Sequence, residues 1–80
     1  MRAKHRLALM ARLLELDRKL AASRQRIRRQ LDRVREARLD GGDVALSLQV
    51  LRHLQGGYSD LVRIRDNLCH ETGARRYASV

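Results

Sequence analysis

Leu39-Asp40-Gly41-Gly42-Asp43 is the stretch on which the fold of this chain turns. Glycine enters the left-handed backbone region that closes a helix, and an aspartate just behind it is a preferred cap for the next helix. The five residues therefore read as a reversal between two helices. On the amino-terminal side no Gly or Pro interrupts residues 4–39. At 100° per residue Leu9, Leu13, Leu16, Leu20, Ile27, Leu31 and Val34 share an arc of about 60°. That width is a narrow, coiled-coil-like seam rather than the broad face of a globular helix. The seam has one gap, at Ser23 and Arg24, which reads either as a polar layer that fixes register or as an exposed one.

On the carboxy-terminal side the pattern differs in kind. Val44, Leu46, Leu48, Val50, Leu51, Leu54, Tyr58, Leu61, Val62, Ile64, Leu68 and Cys69 cover an arc of about 200°. Only a strip with Gln49, Arg52, Asp60, Arg63 and Asn67 is left for water. A helix this apolar needs neighbours on more than one side. Gly56-Gly57 interrupts it, and each glycine costs about 1 kcal/mol in a helix interior. The pair reads as a continuous or kinked helix because the apolar arc keeps phase across it, with a split, or a close approach of another backbone, as the alternatives. The fold class that follows is all-α: an antiparallel, coiled-coil-like helical hairpin in one domain over residues 1–70. Its parts are a helix over 4–39, a turn at 40–42 and a helix over 43–70, with 71–80 as a flexible tail.

Composition agrees with this and removes other classes. The chain has 80 residues, no Pro, Phe or Trp, and sixteen Arg with two Lys against nine acids. Strands draw on β-branched and aromatic residues, which are scarce here, whereas Leu, Ala, Arg and Gln favour helix. A single cysteine cannot form an internal disulfide, so a disulfide-stapled secreted fold is excluded and a reducing cytoplasm is the natural setting. No apolar run approaches the ~20 residues of a membrane span. The basic start followed by Leu7-Ala8-Leu9-Met10-Ala11 is too soon ended by Arg12 for a signal peptide, and reads as the first turns of the helix.

No catalytic constellation is visible, and the expectation is a non-enzyme without cofactor or metal. His5, His53 and His70 are scattered, none at the i, i+4 spacing of helical metal sites. Cys69 falls on the apolar arc and reads as a buried structural thiol. Neither Gly-Gly pair is followed by the Lys and Ser/Thr of a phosphate loop.

The formal charge is +9, of which +8 lies in residues 1–40 with 13 bases and 5 acids. On the helical wheel the arginines surround the first helix everywhere but the seam, whereas a groove-reading helix gathers its bases on one face. A solvated coiled-coil exterior, with Glu15–Lys19 and Arg28–Asp32 as i, i+4 pairs, is the plainest reading. Contact with a polyanion through Arg24, Arg28, Arg29, Arg33 and Arg35, or recognition of an acidic protein, are the functional ones. The stronger clue is the mismatch between a 60° seam and a 200° arc. Some six apolar side chains left wet would forgo roughly 1.5–3 kcal/mol each, comparable to the stability of a small domain. A protein partner or self-association must cover them. The contact candidates are Val44, Leu48, Leu51, Leu54, Tyr58, Leu61, Val62 and Leu68.

Taken together, the charged first helix, Gly41-Gly42-Asp43, Gln49-Val50 and an apolar second helix with the small step Gly56-Gly57 resemble the small helical-hairpin co-chaperones of the type III secretion needle subunit, the YscE/PscE type. The resemblance spans roughly residues 20–68. It implies a bacterial cytoplasmic hairpin whose apolar face lies on a tetratricopeptide-repeat co-chaperone, the two jointly holding the needle subunit. The strong positive charge and the Arg-rich amino terminus depart from that pattern. The expected function is a non-catalytic adaptor or co-chaperone, with a small basic nucleic-acid-binding dimer as the alternative.

Overall fold

The computed structural model describes residues 3–72, and it is two helices packed against each other: α1, Ala3–Asp40, and α2, Val44–Thr72. The hairpin is a rod of 58 × 19 × 18 Å. Its long axis is set by α1, whose 38 residues rise about 57 Å.

The turn forms as its sequence dictates. Gly41 sits at φ +70°, and the Gly42 amide donates to the Ala37 carbonyl at 2.9 Å. This is the 6→1 bond of a Schellman motif, in which the residue before the last donor adopts the left-handed conformation. Behind it, Asp43 Oδ1 accepts from the Leu46 amide at 2.9 Å, the side-chain cap of α2. Asp43 therefore lies outside the helix that it caps, and Glu71 and Thr72 lie inside α2, so the tail expected from 71 begins no earlier than 73. Residues 73–80 lie outside the described residues.

The side chains that turn inward follow a strict alternation of four- and three-residue steps. On α1 these are Leu9, Leu13, Leu16, Leu20, Ser23, Ile27, Gln30, Val34 and Ala37; on α2 they are Val44, Ser47, Leu51, Leu54, Tyr58, Leu61, Arg65 and Leu68. This is the heptad spacing of a coiled coil. It corrects the expected seam at two points. Ser23 fills the gap and is 7% exposed, and Gln30, 4% exposed, takes the place given to Leu31, which is 37% exposed. Gln30 is accommodated because its Nε2 donates to the Ser47 carbonyl at 2.9 Å, so the buried amide is not left without a partner.

α2 runs unbroken through Gly56-Gly57. A Cβ built on either glycine meets nothing within 4 Å. Neither a split nor a close backbone approach explains the pair, and both glycines face open space. The core is thin. Leu20, Val34, Leu51, Leu68 and Cys69 are the buried hydrophobic residues among those described, and no large side chain is completely enclosed.

Candidate protein-docking surface

A two-helix coiled coil has two flanks, one on each side of its seam, and here they are unlike. Along the first flank polar bonds cross between the helices. Arg65 Nε donates to Asp17 Oδ1, and Arg24 Nη1 donates to the Tyr58 hydroxyl at 3.5 Å. The Asp17 carboxylate, through that hydrogen bond first and its charge second, raises the Arg65 pKa above its already high ordinary value. The half-buried Leu48 and Val62 and the buried Cys69 lie on α2 along the same flank.

The second flank is open. On α1 it carries Arg12, Lys19, Arg26 and Arg33, four cations seven residues apart. Across from them, α2 presents Val50, Gly57, Ile64 and Glu71, also seven apart, with Glu71 level with Arg12. The register fixed by Asp17–Arg65 and Arg24–Tyr58 sets Lys19 level with Ile64, Arg26 with Gly57 and Arg33 with Val50. In an antiparallel coiled coil these are the positions that ordinarily exchange ion pairs. Here no carboxylate of α2 stands opposite the three cations. Lys19 pairs at 3.5 Å with Glu15 on its own helix, while among the described residues Arg12, Arg26 and Arg33 have no carboxylate within ion-pair distance.

Between the two columns lies an open groove of about 350 Å³, lined by Lys19, Ser23, Arg26, His53, Leu54, Gly57 and Leu61. Two of its lining residues, Ser23 and Gly57, have a short side chain and none. Its α2 side is His53, Leu54, Gly57 and Leu61; Val50, Ile64 and Leu46, 39%, 47% and 55% exposed, lie on the same edge of α2 but outside the groove lining. A second group of exposed apolar residues, Leu7, Met10 and Leu14, lies near the start of α1 and off this groove.

Six of the eight contact candidates, Val44, Leu51, Leu54, Tyr58, Leu61 and Leu68, lie on the seam toward α1, and Leu48 and Val62 lie on the first flank. Leu51 and Leu68 are buried against α1, and Val44, Leu48, Leu54, Tyr58, Leu61 and Val62 are half-buried. Leu51 and Leu68 are thus part of the intramolecular core, which corrects their assignment to a partner. Leu54 and Leu61 remain accessible from the groove. Leu46, Val50 and Ile64, all within the apolar arc, were the surface that the candidate set left out. The arc alone could not say which of its halves α1 would cover. The cation column was also missed, although its seven-residue spacing stands in the sequence.

The five arginines named as polyanion contacts, Arg24, Arg28, Arg29, Arg33 and Arg35, are all exposed. The structure does not bring them together on one face. Arg24 reaches the closed flank, Arg33 the open one, and Arg35 Nη1 pairs with Asp32 at 3.3 Å. That last pair replaces the expected Arg28–Asp32, consistent with the preference for the acid to precede the base along a helix. Glu15–Lys19 has that order and forms as expected.

Comparison with protein-family models, with curated proteins and with solved structures finds no match to this chain. Among the described residues no cluster of three or more His, Cys, Asp or Glu is placed to hold a metal ion. No described helix is long and apolar enough to cross a membrane.

Proposed function

We propose that this hairpin is a non-catalytic protein-binding adaptor or co-chaperone, which completes its core by docking a partner on α2. The observation that carries the reading is the wet apolar edge Leu46, Val50 and Ile64 beside a core of so few buried residues. Leu46 and Val50 are neighbours one turn apart and Ile64 lies two heptads further along the same edge, and apolar surface left over a core this thin supports an interaction role. In its finer form, taken from the resemblance, the partner is a tetratricopeptide-repeat co-chaperone and the shared client a type III secretion needle subunit, in a bacterial cytoplasm.

Two measurements test it. The purified chain should bind an apolar-surface dye or self-associate, and a monomer with no dye-accessible surface would sink the reading. Co-purification from the native cell after nuclease treatment, with mass determination of what stays bound, should return a protein. The exposed arginines favour one second reading, a basic dimer on nucleic acid. It requires duplex binding that weakens steeply between about 50 and 200 mM salt, and no retardation of DNA removes it.

A further inference from the structure

We infer that the open groove takes one kind of occupant: an amphipathic helix of another protein, apolar on the face it buries and acidic at heptad spacing along its edge. The inference deepens the adaptor reading and rests on it. Arg12, Lys19, Arg26 and Arg33 stand one heptad apart, about 10.5 Å along the helix axis. Only another helix running nearly parallel to α1 repeats its side chains at that interval. The column spans about 32 Å, so the occupant needs three heptads or more.

Charge chooses among possible occupants. The residues level with the last three cations, Ile64, Gly57 and Val50, supply no counter-charge, so acids facing this column come from outside the hairpin. A second copy related by a two-fold axis would set this column either against its own image or against Val50, Gly57 and Ile64 of the other hairpin, and neither arrangement brings acids level with the last three cations. A phosphate backbone would satisfy the cations but leave Val50, Ile64 and Leu46 wet. An acidic amphipathic helix answers both needs at once. Its apolar side chains fill the groove over Leu54 and Leu61, and its carboxylates meet the arginines in the manner of coiled-coil edge pairs. Docked in this way, it turns the two-stranded seam into a three-helix core.

The test uses the full chain and a labelled four-heptad peptide with Leu at the two seam positions and Glu at the two edge positions, read by fluorescence anisotropy. The peptide should bind, and more weakly as salt rises. The double reversal Lys19→Glu/Arg26→Glu should lower affinity roughly tenfold or more. Gly57→Leu should lower it comparably by filling the groove; since nothing lies within 4 Å of that position and leucine favours helix over glycine, the hairpin itself keeps its helicity and melts no lower. Arg28→Glu/Arg35→Glu, the same change of charge on the far side of α1, should stay within about twofold.

Equal losses from the two double reversals would reduce the effect to general attraction and overturn the inference. So would equal binding of a peptide with Lys at the edge positions. Duplex DNA that binds more tightly than the peptide and is released by the groove reversal would assign the column to phosphates. Self-association abolished by that reversal would assign it to a second copy. A protein partner that is retained by the groove variants defeats the groove while leaving the adaptor reading standing.

Discussion

The two flanks of the hairpin share one seam and one register, yet one is fastened and the other is not. Asp17–Arg65 and Arg24–Tyr58 cross the first, with Leu48 and Val62 half-buried along it. Across the second, Arg26 and Arg33 look at a glycine and a valine. If either flank were merely solvated surface, both would be expected to carry the complementary charges that antiparallel helices use to settle their alignment. The difference teaches that alignment is settled on one side and that the other side is left open.

Four substitutions separate these roles, and the largest effect comes from the seam that both flanks share. Leu51→Ala should cost about 2–5 kcal/mol, the range for emptying a packed leucine site, and should abolish cooperative thermal melting of so thin a core. If it costs less than about 1 kcal/mol in a denaturant titration, the hairpin is not held by this seam. Next, and opposite in sign, Gly57→Ala on the open flank should raise stability by about 0.8–1 kcal/mol, because a methyl there meets nothing. A loss of stability would show the groove to be narrower than described.

On the fastened flank, Asp17→Ala should cost at most about 1 kcal/mol, since the pair is substantially exposed and its charge is screened; the loss should shrink as salt is added. The sign of its pH dependence at the basic end follows from Arg65. A base whose pKa is raised by folding contributes fully below its unfolded pKa and loses that contribution only as pH passes the folded one, so alkaline titration should leave the pair intact until arginine itself deprotonates. The smallest effect is expected for Arg26→Ala, within about 0.5 kcal/mol of zero for the hairpin alone. Should Arg26→Ala prove as costly as Asp17→Ala, the two flanks would be equivalent and the contrast would collapse.

Local chemistry was legible in the sequence wherever it was confined to a few neighbouring residues. Gly41-Gly42-Asp43 specified both the left-handed closure and the cap, and Glu15–Lys19 needed only helical spacing. What could not be read was set by the partner helix. An arc of 200° on α2 does not say which half meets α1, so Leu51 and Leu68 were assigned outward when they form the core. Leu31 is more apolar than Gln30, and a fixed 100° wheel admits Leu31 to the seam. The steps of four and three select Gln30 instead, and its burial becomes tolerable only because the Ser47 carbonyl on the other helix is there to receive it. The open flank was hidden for a related reason. A column of cations at heptad spacing is unremarkable on one helix, and acquires meaning only when the residues level with its last three members are seen to be Ile64, Gly57 and Val50.

The three-residue connection between α1 and α2 also bears on how the rod opens and closes. Every contact between the helices encloses that one turn, so the loop that must be closed is shortest at Ala37 and longest near Leu13 and Cys69, and the entropy of closure grows from the turn outward. Zipping from the turn is then the low-cost order of assembly, and fraying from the far end the low-cost order of loss. Amide protection should fall along both helices with distance from Gly41, leaving Leu68 and Cys69 as the last buried clasp before the ends part.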